Sequence, residues 1–352
     1  MDRQLHFNLF INSRGHHEAS WRHPDASALP LTDIRYYQEL AQKAEDGLFD
    51  SIFLADQLAV RDDVERAPRV WLEPITALGA LAVTTRRIGL IATASTTYTE
   101  PYNLARQFAS LDFISGGRAG WNIVTSWSAP AARNYGDDSQ VSHAERYARA
   151  EAFMQVAKGL WDSWADDAIL DDRENGRYAR PDRIRPIDHA GDLYKVAGPL
   201  NIPRCPQGWP LLVQAGSSDT GRRFAARHAE AVFTAHLEKA TAQAFYKDLK
   251  ALAREVGRSA DQIHILPGLS AMIGSTEAEA RKMAQALNDL ADPEVGRKRL
   301  SGRFGGYDFS HLPLDTPLTP ADFPDPGTVE AARSRTELIV GLVRREGLTL
   351  RQ

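Results

Sequence analysis

Cysteine is nearly absent: Cys205 is the only one in the chain. One thiol excludes intramolecular disulfides and any cysteine-built zinc knuckle, and it suits a reducing compartment. It falls in PRCPQG, a proline-rich turn with no activating neighbour in sequence, and reads as structural. An excess of either charge is lacking too. Against 42 basic residues stand 46 acidic ones, for a net charge of -4, and the bases often lie beside acids, as in RENGRYARPDR. That pattern reads as a solvated surface and leaves no electrostatic footprint for nucleic acid. Long apolar runs are missing. MDRQLHFNLFINSRGHH has no apolar stretch of the signal-peptide kind, and no run approaches membrane-spanning length, so a cytoplasmic location is expected. Several chemical signatures are absent as well. There is no G-x-G-x-x-G after the first strand, no P-loop and no G-x-S-x-G elbow. HExxH is missing, and the histidine spacing fits no metal template, so no metal is expected.

What is present is a chain of 352 residues, 43% hydrophobic and 25% charged, long enough for one large α/β domain. Short β-branched runs alternate with longer helical stretches. HFNLFIN reads as a strand, and 32–46 as a helix with Thr32 as N-cap and Gly47 past its end. Strands are expected at 51–56, 87–95 and 118–126. Helices are expected at 73–85 and at 101–117, the latter with a proline near its start and a Gly-Gly stop. The clearest helix is 143–164, where Ala150, Phe153, Met154, Ala157, Leu160, Trp161 and Trp164 form one apolar stripe. Strand-like runs resume at 210–216, 229–235 and 263–274, each followed by a helical stretch. Strict alternation implies right-handed crossovers and a parallel sheet, and near-continuous apolar strands imply burial on both faces. More than six such units without a dinucleotide fingerprint favour a (β/α)₈ barrel over an open doubly wound sheet. Residues 1–352 read as a single domain of this type. An insertion at 165–209 has a short hairpin around GDLYKV, and a Gly-, Pro- and aromatic-rich insertion at 292–328 is expected to act as a lid. Phe304, Tyr307 and Phe309 are candidate pocket walls in that lid.

In such a barrel the site lies at the C-terminal ends of the strands. Asp56 ends the second strand, Thr93 and Ser95 the third, Asn122 and Thr125 the fourth. A carboxylate there can accept from a ring N–H or merely cap a turn. An Asn both donates and accepts, which suits the dioxopyrimidine edge of a flavin. His143 and Tyr147 lie one helical turn apart at the N-terminal end of the clearest helix, the end that faces the mouth. His143 is the first candidate for moving protons near neutral pH. In VQAGSSDTGRRFAAR a buried strand runs through Gly216, Ser217 and Ser218 into a helix, with Arg222 and Arg223 a turn later. Backbone N–H groups, two hydroxyls and the helix dipole together make an anion site. His16, His17 and His23 cluster near the end of the first strand. His17 and Trp21 read as pocket lining, and His17 as the second candidate for proton handling.

The segments GGRAGWNIVTSW (116–127), HAERYARAEAFMQVAKGLWDSW (143–164) and GPLNIPRCPQGWPLLVQAGSSDTGRRFAARHAEAVFTA (198–235), with IATASTTYTEPYNLARQFASLDFISGGR (91–118), resemble the nitrilotriacetate and dibenzothiophene-sulfone monooxygenase group of the bacterial-luciferase-like superfamily. The resemblance runs along the whole chain. It implies the oxygenase component of a two-component system, which takes FMN as FMNH₂ from a separate NAD(P)H:FMN reductase. Oxygen would add at the flavin C4a position, and the (hydro)peroxyflavin would oxidise a small organic substrate at carbon, nitrogen or sulfur, with C–S or C–N cleavage. Carried over by motif, flavin contacts fall on Asp56, Thr93, His143, Tyr147 and Ser218, with Ser95, Asn122 and Ser217 nearby. A homodimer or homotetramer is also implied. Members of the group continue past TLRQ into a last strand and helix. Seven strand candidates stand here against the eight a barrel needs, so the last strand is expected to be missing. A truncated sequence, a second polypeptide or a misread strand would each account for that. Two other readings stay open: a flavin-binding protein without catalysis, and a deazaflavin-dependent oxidoreductase of the same superfamily.

Overall fold

The computed structural model describes residues 5–61, 63–126, 128–325 and 333–352. Residues 1–4, at the start of the stretch read for a leader, and 326–328 of the expected lid lie outside them. The chain forms two compact units. The first takes the described parts of Met1–Asn12, Leu29–Ala59 and Trp71–Gly268, and the second those of Ser13–Ala28, Val60–Val70 and Leu269–Gln352.

The first unit is built on seven parallel strands: β1 (Asn8–Ile11), β2 (Ser51–Leu54), β3 (Gly89–Ser95), β4 (Ala119–Val124), β9 (Leu211–Gln214), β10 (Ala231–Thr234) and β11 (His264–Pro267). Between β4 and β9 the chain makes two small antiparallel hairpins, β5 (Ile169–Asp172) with β6 (Arg177–Ala179) and β7 (His189–Ala190) with β8 (Lys195–Val196). The second is the hairpin expected around GDLYKV; the first was not expected, and it turns through Asn175-Gly176, where Gly176 takes φ 67°. The parallel strands pair in chain order, β1-β2-β3-β4-β9-β10-β11, with no reversal. A doubly wound sheet would reverse its order at a switch point, so the order is that of a barrel. The sheet curls as a barrel must. Phe10 of β1 meets Phe233 of β10 edge-on, with ring centroids 6.5 Å apart, although four strands separate them in the sheet. This is a nearly closed (β/α)₈-type barrel with seven of its eight strands among the described residues.

Period-two alternation divides each strand between the barrel interior and the helices. Leu90, Ala92 and Ala94 of β3 and Ala119, Trp121 and Ile123 of β4 join the helical core. Trp121 is fully buried among Phe108, Phe153 and Trp161 and donates its indole N–H to the carbonyl of Ala94 (3.1 Å). The other face of the sheet carries a smaller apolar cluster of Ile91, Val213 and Ala231 with Phe53, Leu211 and Leu266. Gly120 belongs there because a Cβ on it would stand 2.9 Å from Cγ1 of Ile91.

The helices that flank the strands in this unit are α1 (Ile34–Asp46), α2 (Pro74–Ala82), α3 (Pro101–Ser115), α4 (Ala129–Asn134), α5 (His143–Trp161), α6 (Asp219–His228) and α7 (Lys239–Glu255). The cap of α1 is Asp33, whose carboxylate accepts from the N–H of Arg35 (3.0 Å), and not the neighbouring Thr32. The Gly-Gly stop of α3 holds: Gly116 takes φ 67° and Gly117 φ 87°. Helix α5 is three residues shorter than its apolar stripe suggested. Trp164 lies beyond its end and donates to the carbonyl of Leu200 (2.7 Å). The run 263–274 is strand only to Pro267, where the first unit ends one residue later.

The second unit contains α8 (Glu277–Asp289), α9 (Pro293–Arg303) and α10 (Arg333–Glu346). The expected lid segment therefore opens with a regular helix, capped by Asp292. Phe304 and Phe309, proposed above as pocket walls, are buried with Leu318, Phe323, Val340 and Val343 in this unit's own core, and Tyr307 packs partly buried against it. Glu18 pairs with both Arg69 and Arg299, while Asp63 pairs with Arg69.

Candidate functional site

Two groups of polar side chains meet at the C-terminal ends of β3, β4 and β9. One belongs to the sheet. Thr93 and Asn122 face each other in register across β3 and β4, both buried, and the Asn122 amide Nδ2 donates to Thr93 Oγ1 (2.9 Å). That bond fixes the amide and leaves Oδ1, also buried, with no partner. A buried acceptor without a donor is costly and needs an explanation. Two residues past Thr93, Ser95 Oγ accepts from Ser126 Oγ (2.8 Å), just beyond the end of β4, and also takes the N–H groups of Thr97 and Tyr98.

The second group is a cradle where β9 turns into α6. Ser218 is the N-cap of α6, and its Oγ accepts from the N–H of Gly221 (3.1 Å). Ser217 and Ser218 are exposed. Beneath them Gly216 and Gly221 come back to back. A Cβ on Gly216 would lie 3.0 Å from Cα of Gly221, and one on Gly221 would lie 2.9 Å from the Tyr147 hydroxyl. Tyr147, buried on α5, therefore reaches the floor of the turn, where its phenol shares hydrogen bonds with the side chains of Ser218, Thr125 and Gln214. Alternation explains the meeting. Thr125 continues the helix-facing series Trp121 and Ile123, and Gln214 follows Leu212, so both turn toward α5. Burial raises the Tyr147 pKa above the usual phenol value against the opposing pull of those hydrogen bonds, so the O–H stays a donor at neutral pH.

His143 opens α5 one turn before Tyr147, and their rings lie 4.8 Å apart. It is exposed, although Tyr147 one turn on is buried. Desolvation against its neighbours and the charge of Arg146 hold its pKa below 6.5. Asp56 lies two residues past β2. Its carboxylate accepts from the N–H of Gln57 (2.8 Å) and bonds the Trp71 side chain. Burial raises its pKa, and Glu73 adds to the shift. The arginines expected to face an anion are committed elsewhere. Arg222 pairs with Asp219 and Asp248 and donates to the carbonyl of Ser217, and Arg223 pairs with Asp219. His17 and Trp21 belong to the second unit. There His17 Nδ1 accepts from the N–H of Ala19 (3.1 Å) and Nε2 faces Asn288 Oδ1 (3.1 Å), so both ring nitrogens are engaged. Cys205 is buried, and desolvation followed by the nearby Asp112 carboxylate pushes its thiol up to about 12.

Sequence reasoning missed Gln214 and Gly221. The second glycine of GSSDTG was a usable signal, since a glycine inside the first turn of a helix needs a packing reason. Gln214 had none, because a polar residue closing an apolar strand is ordinary.

The luciferase-like monooxygenase family profile matches residues 7–327. The chain belongs to that family. N-acetyl-S-(2-succino)cysteine monooxygenase of Bacillus subtilis (strain 168) is 44% identical over 352 residues, covering 99% of this chain and 79% of that protein. Nitrilotriacetate monooxygenase component A of Aminobacter aminovorans is also 44% identical, over 100% of this chain and 79% of its own length. Among solved structures, riboflavin lyase with modified FMN and riboflavin superposes with a TM-score of 0.85 at 34% identity, over 99% of this chain and 77% of that one. The luciferase-like monooxygenase described here is thus an enzyme of the flavin-dependent monooxygenase class. No helix among its described residues is long and apolar enough to cross a membrane.

Proposed function

We propose that the chain is the oxygenase component of a two-component system, binding FMN in its reduced form from a separate NAD(P)H:FMN reductase and oxidising a small organic substrate at carbon, nitrogen or sulfur with O₂. The observation that carries this reading is the cradle at the start of α6. Two exposed serine hydroxyls, the helix N-terminus and a phenol kept protonated suit a phosphate. Asp219 in the first turn would oppose an anion, but Arg222 and Arg223 neutralise it. The partnerless Oδ1 of Asn122 suits an N–H of the flavin ring. The two relatives named as monooxygenases, one of them as component A, and the FMN in the related lyase support the same reading.

Reduced FMN would supply the electrons that activate oxygen. The protein's part is to bind, orient and exclude water. Tyr147, Ser217 and Ser218 would hold the phosphate. Asn122, fixed by Thr93, would hold the ring edge, with Ser95 beside it. Asp56, two residues past the end of β2, would accept from a donor on the ligand. His143, held neutral by its depressed pKa, would accept a proton there. His17 has no nitrogen free for that work. The two relatives are named for substrates that contain C–S or C–N bonds, which supports extending that substrate class, with cleavage of such a bond, to this chain. Assembly as a homodimer or homotetramer is part of the same proposal.

The test is anaerobic titration with reduced FMN, followed by a pulse of O₂ with stopped-flow absorbance. Saturable binding and flavin reoxidation slower than in free solution are expected. Ser218→Ala and Tyr147→Phe should each weaken binding about tenfold with the fold intact. Parent-like binding by both variants would remove the phosphate assignment.

A further inference from the structure

Gln214 is a buried side chain beneath the cradle that meets both its turn and Tyr147. It closes β9 and is only 4% exposed. Its Oε1 accepts from the N–H of Gly216 (2.6 Å), which sets the first bend of the turn carrying Ser217 and Ser218. Its Nε2 packs so close to Gly216 that a Cβ there would stand 2.3 Å away. The same side chain bonds the phenol of Tyr147. Only one orientation of the amide satisfies both neighbours. The oxygen must face the backbone N–H, and the NH₂ must then face the phenol oxygen. A phenol oxygen that accepts from Gln214 cannot send its own proton back along that line. The proton is left for the Ser218 and Thr125 hydroxyls, and Ser218 lies on the open side of the cradle.

We propose that Gln214 is a positioning residue that pre-assembles the anion cradle, holding the Gly216 turn and aiming the Tyr147 hydroxyl outward as a donor. This rests on the reading of the cradle as a phosphate site. Gln214 does not touch the ligand. It acts through two groups that do, so that the ordering is done before a dianion arrives. The specificity it produces is for the phosphorylated flavin over the same ring system without phosphate.

The experiment compares reduced FMN with reduced riboflavin, each titrated anaerobically by fluorescence into the full chain and into Gln214→Met and Gln214→Glu. Methionine keeps the volume and loses both hydrogen bonds. Glutamate keeps the acceptor for Gly216, loses the donor to Tyr147 and adds a negative charge. The parent should prefer FMN over riboflavin. Q214M should lose about tenfold of that preference through weaker FMN binding alone, with riboflavin affinity within about twofold of the parent. Q214E should lose more of it, again without a change for riboflavin. Thermal melting of each variant separates a misfolded chain from a mis-set cradle, and Q214E supplies the answer if Q214M fails to fold. A variant that kept the parent's FMN-to-riboflavin ratio, or weakened both flavins in parallel, would overturn the positioning role. A parent that bound the two flavins equally would instead overturn the phosphate reading of the cradle, a result visible before any variant is made.

Discussion

At the residue scale, the cradle depends on two glycines that no other residue can replace at equal cost. Each would place its Cβ about 3 Å from the Cα of the other, and backbone cannot swing aside as a side-chain tip can. Gly221→Ala should therefore separate the turn from Tyr147, lowering FMN affinity at least about tenfold while costing about 1–3 kcal/mol of stability. Calorimetry with and without FMN measures both. His143 gives a second prediction. Its depressed pKa means that the neutral imidazole persists where an ordinary histidine is half protonated, so proton uptake comes only as pH falls below 6.5. The acid limb of activity should lie below that value, and His143→Asn should abolish it in a pH–rate profile. The linkage has the same sign: the unfolded chain takes up this proton first, so the stability tied to a neutral His143 is present above 6.5 and lost as pH falls. The pair His143 and Tyr147 was legible from spacing alone, because i and i+4 share a helix face. The exposure of one and burial of the other was not, since it depends on what stands opposite that face.

At the element scale, one side chain ties the layers beneath the site. Arg118 precedes β4 and donates to the carbonyls of Ala82, Thr85, Ile88 and Ser115 and to the hydroxyl of Thr85, at 2.7 to 3.2 Å. It caps the C-terminal ends of α2 and α3 at once, where a cation is favoured. Burial lowers its pKa, but a guanidinium stays charged. Arg118→Lys keeps the charge and loses the planar fork, and should cost about 2 kcal/mol in urea denaturation. The strands and helices themselves were readable from periodicity, and their ends were less so. Thr32 looked like a cap, yet Asp33 holds that place with a carboxylate that also binds the Arg35 side chain. Helix α5 stopped at Trp161 although its apolar stripe ran on, because Trp164 found a backbone carbonyl outside the helix.

At the scale of the whole molecule, sequence-distant segments are joined in the second unit by ion pairs. Glu18 answers Arg69 and Arg299, and desolvation of Arg299 lowers its pKa. Glu18→Ala would strand the partly buried guanidinium of Arg299, while Arg69 keeps Asp63, an expected loss of about 3 kcal/mol within that unit. Hydrogen exchange should then rise in 13–28, 60–70 and 293–303 while β3 and β4 stay protected; equal protection throughout would refute it. The alternation of strand and helix settled a parallel sheet with right-handed crossovers from the sequence by itself, and the strand order without reversal decided that it is a barrel and not a doubly wound sheet. Sequence also marked Ser217 and Ser218, since a strand running through glycine into a helix start is local. The tertiary structure alone decided that Thr125 and Gln214 meet Tyr147, that Asn122 keeps a buried oxygen without a donor, and that His17 is spent in the second unit. Period two assigns a side chain to one face of a strand, but which helix end covers that face depends on packing between elements distant in sequence, as β9 is from α5.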